Sequence, residues 1–140
     1  LTIQYNQINY RIRSMILDTS KLQVGQAAKT KVEITTEMTT NRTGNAGDDV
    51  FSTPAMLGLM EGACIQLSDP LLGNDSATVG YAVDGLRHVA RTDVGETVDI
   101  STSLIDIDRE KGRLTFEIEV THQDKMVGKA THKRAIISKS

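Results

Sequence analysis

Between Pro54 and Ile65 the chain carries a single polar side chain, Glu61, in an otherwise apolar run, and this run constrains the fold more than any other segment. Thr53 precedes Pro54, a pair that starts helices: the hydroxyl is placed to cap a free N–H, and the proline's missing donor costs nothing in the first turn. Asp69-Pro70 and Gly73-Asn74 then supply a stop. A helix that is apolar nearly all round has no side suited to water, so the spacing predicts one helix buried inside the protein.

The rest of the chain alternates at period two. After a turn at Gln23-Val24-Gly25-Gln26, Thr30 to Thr36 places Val32 and Ile34 in alternation and predicts a first strand. Residues 39–49 (TTNRTGNAGDD) show no apolar period and predict a loop or lid. Their glycines lack the Lys-Ser/Thr pair that a phosphate loop requires. Beyond Asn74, Val79, Tyr81 and Val83 share one face, and Leu86, His88 and Ala90 continue in the opposite parity, a switch that a bulge near Asp84-Gly85 explains. That parity turns His88 toward the core. A turn at Val94-Gly95-Glu96 leads to a strand through Val98, Ile100 and Leu104, and a hairpin loop at Asp108 to Gly112 leads to another through Leu114, Phe116, Ile118 and Val120. Gln123-Asp124-Lys125 turns the chain into a last strand over Met126 to Ile137.

One helix against one antiparallel sheet is an α+β arrangement, and an apolar helix requires the sheet to wrap around it. The expected architecture is therefore the hot-dog fold, an antiparallel sheet wrapped around one long buried helix. A sheet this small covers such a helix incompletely, so a homodimer that extends the sheet or closes over the helix is expected.

At 140 residues the chain is sized for one core. Residues 1–14 (LTIQYNQINYRIRS) are polar and unpatterned and are expected to be a leader or N-terminal extension, with a single domain over 15–140. Lys and Arg are scattered among acids at a formal net charge of -2, which leaves no basic stripe for a nucleic-acid backbone. No window approaches the roughly 20 apolar residues of a bilayer span, so no membrane partner is expected. Cys64 is the one cysteine and cannot form an internal disulfide, which fits a reducing, cytoplasmic setting. It lies in an apolar run with no feature that would lower its pKa. His122 and His132 lack metal-ligand spacing to each other or to His88; they are expected at the surface, and no metal is implied.

Three residues fit poorly with purely structural roles: Thr53 at the helix start, Glu61 in its apolar middle, and His88 on the inward face of a strand. A carboxylate attacks a thioester or activates water, an imidazole moves protons near neutral pH, and N–H groups at a helix start hold a developing oxyanion. Unpaired buried charge is costly enough to need a reason. Against this, a capping threonine needs no further job, and by pattern alone His88 fits a satisfied core histidine slightly better than a catalytic one. Asp84 is placed to orient His88 only if the bulge brings the two together.

These residues lie within a longer match. Val50-Phe51-Ser52-Thr53-Pro54-Ala55-Met56-Leu57-Gly58-Leu59-Met60-Glu61-Gly62-Ala63-Cys64 resembles the V-F-x-T-x-x-M-x-G-L-M-E-x-A-C segment of the hot-dog thioesterase family typified by fluoroacetyl-CoA thioesterase. His88 lies seven residues before the turn glycine Gly95, and Thr131-His132-Lys133-Arg134-Ala135-Ile136-Ile137 resembles that family's closing T-H-x-R-A-x-I strand. The similarity runs from about Leu22 to Ile137. It implies an acyl-CoA thioesterase with a catalytic set at Thr53, Glu61 and His88, and with coenzyme A as part of the substrate rather than a cofactor.

Arg134 matches the arginine of the closing motif; with Arg87, Arg91 and Lys133 it is a candidate to meet the phosphates of CoA. The family's lid is longer and rich in aromatic and proline residues, whereas residues 39–49 contain no aromatic. A broader short or medium acyl substrate is therefore expected, rather than selection for fluoroacetyl. The rival functions on this fold are a non-catalytic acyl-CoA-binding module, a hydratase acting on acyl thioesters and a structural assembly subunit.

Overall fold

A computed structural model describes residues 19–40 and 49–139. The expected leader and most of the expected lid fall outside these residues. The elements are β1 (Ala27–Glu33), α1 (Thr53–Ser68), β2 (Ser76–His88), β3 (Thr97–Asp108), β4 (Arg113–His122) and β5 (Lys125–Ser138), with 3-10 turns at Thr36–Met38 and Asp69–Leu71. The strands form one antiparallel sheet in the order β1-β3-β4-β5-β2, so β1 and β2 are its edges. This is the hot-dog arrangement predicted from the sequence.

Alternation decides which face of the sheet meets α1. Val98, Ile100 and Leu104 of β3, Leu114, Phe116, Ile118 and Val120 of β4, and Val127, Ala130 and Ile136 of β5 are buried. Against them α1 buries Met56, Met60, Ala63 and Cys64, a stripe at helical spacing. Gly128 lets the helix come this close: a Cβ there would run into the Met56 thioether and approach the Arg87 carbonyl to 2.8 Å. The β4–β5 hairpin closes through Gln123 (φ 49) and Asp124 (φ 65), both left-handed, as a two-residue loop that matches the strand twist requires.

The parity switch in β2 is a real irregularity. Pairing with β5 shifts register between Gly80 and Ala82 and again between Asp84 and Arg87, and Gly85 sits at φ +61. Two expectations need correction. The first strand begins at Ala27 rather than Thr30 and ends at Glu33, because its seven residues pair with Thr97 to Ser103 of β3. Tertiary pairing overrides the weak strand propensity of Ala27 to Lys29.

The helix, moreover, is not covered all round. Its stripe faces the sheet, but Thr53, Pro54, Gly58, Ile65 and Gln66 are exposed, and Leu57, Glu61 and Gly62 are half-covered. One five-stranded sheet reaches one side of a helix; the other side, apolar in sequence, is left open in the single chain. No helix among the described residues is long and apolar enough to cross a membrane.

Candidate active site

The start of α1 is capped by Ser52, whose Oγ accepts the Ala55 N–H at 3.2 Å. Thr53, expected as the cap, is instead the first helical residue. Relieved of capping, its hydroxyl lies 2.8 Å from His88 Nδ1. His88 is the last residue of β2, carried there by the bulge, and Phe51 packs edge-on against its ring at 5.8 Å between centroids. Burial of the imidazole holds His88 below the ordinary histidine value, because the charged form loses solvation that the apolar surroundings do not replace. Thr53 and His88 therefore form a hydrogen-bonded pair in which burial favours the neutral ring. Asp84 is not part of it: its carboxylate turns to Lys133, 4.0 Å away.

Glu61 sits eight residues further along the same helix, roughly 12 Å of rise from Thr53. The expectation of an unpaired, buried carboxylate is revised on both counts. The side chain is 40% exposed, and Oε2 lies 3.9 Å from Arg134 Nη1. That distance is an ion pair without a hydrogen bond, leaving the carboxylate oxygens free for another partner.

Arg134 is not a surface contact for phosphate. It is 3% exposed, on the inner face of β5, with Nε donating to Thr78 Oγ1 at 2.7 Å, Nη2 donating to the Thr78 carbonyl at 3.0 Å, and Nη1 donating to His132 Nε2 at 3.1 Å. His132, expected at the surface, is 2% exposed, and its Nδ1 lies 2.9 Å from the Ala82 carbonyl. His122 is half-covered, 3.3 Å from Glu96 and hydrogen-bonded to the Thr97 carbonyl. The other proposed phosphate contacts remain outside: Arg87 is exposed and Arg91 pairs with Asp93 at 2.8 Å.

The inward polar pair on β5 has a partial signal in the sequence. His132 and Arg134 share parity with Ala130 and Ile136, which are core residues. Ala135 and Ile137 are apolar in the opposite parity, so alternation alone did not say which face of this strand was inward. Cys64 is buried 3.6 Å from Thr102 Oγ1, and burial pushes its thiol up to about 11, which makes it a poor nucleophile. Among the described residues no three His, Cys, Asp or Glu side chains stand close enough to hold a metal ion. An open depression of about 340 Å³, bordered by Asp84, Glu117, Glu119 and Lys129 among others, touches none of Thr53, Glu61 and His88.

The arrangement thus offers an imidazole with a hydroxyl partner at the start of a helix, and a carboxylate beside a buried guanidinium two turns along. Both lie toward the helix side that the sheet leaves open.

The sequence pattern of the fluoroacetyl-CoA-specific thioesterase family matches residues 34–140. Fluoroacetyl-CoA thioesterase of Streptantibioticus cattleyicolor is 34% identical over 89 residues, which is 64% of this chain and 62% of that protein, so the aligned stretch spans under two thirds of the relative's length. A solved structure of the fluoroacetyl-CoA thioesterase FlK superposes with a TM-score of 0.73 at 26% identity, covering 84% of this chain and 90% of that one. A hot-dog-like protein from Thermanaerovibrio acidaminovorans superposes with a TM-score of 0.75 at 19% identity over 86% of this chain and 87% of its own, a likeness of fold alone.

Proposed function

The chain belongs to the fluoroacetyl-CoA-specific thioesterase family, and from that premise we propose that it hydrolyses a short or medium acyl-CoA to the free acid and coenzyme A. The observation that carries this reading is the pairing of Thr53 with His88 at the start of the helix that also holds Glu61 beside Arg134. The acyl carbonyl lies near the α1 N-terminus, where the positive end of the helix dipole stabilises the oxyanion. Glu61 takes a proton from the attacking water, or attacks the carbonyl carbon to form an anhydride that water then cleaves; in both routes the C–S bond breaks and the sulfur leaves as a thiolate that takes up a proton. His88 carries protons, and the Thr53 hydroxyl positions substrate or ring. Arg87, Arg91 and Lys133 meet the CoA phosphates. The absence of any aromatic in residues 39–49 favours acyl groups broader than fluoroacetyl, and the single cysteine favours a cytoplasmic setting.

A second copy of the chain belongs to this proposal. Glu61 and Thr53 lie too far apart on one helix to touch the same atom, and the open side of α1, with Gly58 and Gly62 flanking Glu61, is where a partner would bring its own residues close. A homodimer completes the site in this way. Thiol release from a panel of acyl-CoAs of increasing chain length, measured alongside sedimentation, tests both parts. Turnover by the dimer is expected; no release from any acyl-CoA would favour a binding module, and full turnover by a monomer would remove the shared site.

The state of His88 adds an expected pH dependence. A base held below the ordinary value of 6.5 stays neutral to lower pH, so the acid limb of kcat/KM is expected below 6.5. A limb above that value in a pH series would rule His88 out as the group that must be unprotonated.

A further inference from the structure

Arg134 carries a full charge into the interior, and three groups fix the plane of its guanidinium. Thr78 Oγ1 donates its proton to Asp69 Oδ1 at 2.6 Å, and the Thr78 N–H donates to Asp69 Oδ2 at 3.1 Å. The hydroxyl lone pairs thus remain to accept Arg134 Nε, while the Thr78 carbonyl accepts Nη2. His132 provides the third anchor, and only one form of its ring fits. A guanidinium has no acceptor, so His132 Nε2, 3.1 Å from Arg134 Nη1, must offer a lone pair. A carbonyl has no donor, so Nδ1, 2.9 Å from the Ala82 oxygen, must carry the proton. Both contacts select the neutral Nδ1–H tautomer. Gly80 leaves the room: a Cβ there would stand 2.8 Å from His132 Cε1 and 3.1 Å from Arg134 Nη1.

We propose that His132, as the neutral Nδ1–H imidazole, is a positioning residue that accepts from Arg134 Nη1 and so holds the guanidinium facing Glu61. It touches no reacting atom itself. The proposal rests on Glu61 being the working carboxylate, since only then does the aim of Arg134 affect turnover. Its rival is purely structural: the Nδ1–H bond to Ala82 ties β5 to β2 where their register shifts.

Two variants separate these roles, because glutamine and asparagine replace opposite halves of the ring. His132→Gln extends a carbonyl oxygen to the place of Nε2 and restores the acceptor for Arg134. His132→Asn reaches only to the place of Nδ1 and restores the donor to Ala82. Positioning predicts a kcat for the Gln variant at least about tenfold above the Asn variant, with KM alike. It also predicts a slowly exchanging Arg134 Nη1–H proton signal in wild type and Gln that is lost in Asn. Equal or reversed ordering of the two variants would overturn the proposal and leave the sheet-tying role.

Long-range nitrogen NMR of wild type at neutral pH gives an independent reading. A proton on Nδ1 and a bare Nε2 are expected; a proton on Nε2, or on both nitrogens, overturns the proposal even if neither variant folds. Absence of thiol release by wild type would defeat the proposed hydrolysis, and the two NMR readings would still decide how His132 and Arg134 are held.

Discussion

Replacing Glu61 with glutamine is expected to lower kcat for acyl-CoA hydrolysis by about 10²–10⁴-fold, whether the carboxylate is nucleophile or general base, because an amide does neither. Folding should hardly notice. The side chain is 40% exposed and its contact with Arg134 is 3.9 Å long, and a half-solvated pair of that kind contributes about 1 kcal/mol or less. Glutamine also keeps the size of the side chain. A melting curve close to wild type beside a collapse in thiol release is therefore the expected pair of results. Retention of more than about a tenth of wild-type turnover would remove Glu61 from the chemistry.

Arg134→Met is expected to show the opposite balance, with a large loss of stability accompanying the loss of turnover. Methionine fills the space of the aliphatic stem but returns none of the three donated hydrogen bonds. The Thr78 carbonyl and His132 Nε2 are left facing a dry interior without donors, and each such group costs about 1–3 kcal/mol. Some relaxation is inevitable, so the expected total is about 2–4 kcal/mol, or a fall in Tm of roughly 5–15 °C for a chain of this length. Arg134→Lys should recover only part of this, since an ammonium supplies charge without the planar fork that serves Thr78 and His132 together. Calorimetry on the two variants checks the ordering; an unchanged Tm for Arg134→Met would mean that the buried network adds nothing to folding.

The contrast between these variants follows from where each group sits. Glu61 lies on the open side of α1 and interacts weakly with its own chain, which leaves it free for a substrate. Arg134 is committed to its own chain almost entirely. That division was not visible in the residue types: both read as charged candidates for ligand contact, and only burial and hydrogen bonding separate the one that remains available from the one that is spent on the fold.

The proposed site was legible in proportion to how local its signals are. Thr53-Pro54 and Asp69-Pro70 mark the ends of α1 within a few residues, and alternation in β4 states its inward face without ambiguity. The parity break at Asp84-Gly85 even announced the bulge that turns His88 inward. Such features depend on backbone conformations and side-chain directions that neighbouring residues impose, so one sequence suffices to read them.

Tertiary structure decided the rest. Ser52 and Thr53 are equally able to cap a helix, and it is His88, brought in by a strand 35 residues away, that gives the Thr53 hydroxyl another partner. Ala130 with Ile136 and Ala135 with Ile137 make both faces of β5 plausible, and it is the pairing of β5 with β4 on one side and β2 on the other that sends His132 and Arg134 inside. The apolar helix announced that it needed cover; how much of that cover one sheet supplies, and which side stays open around Glu61, depends on distances between elements that no local pattern contains.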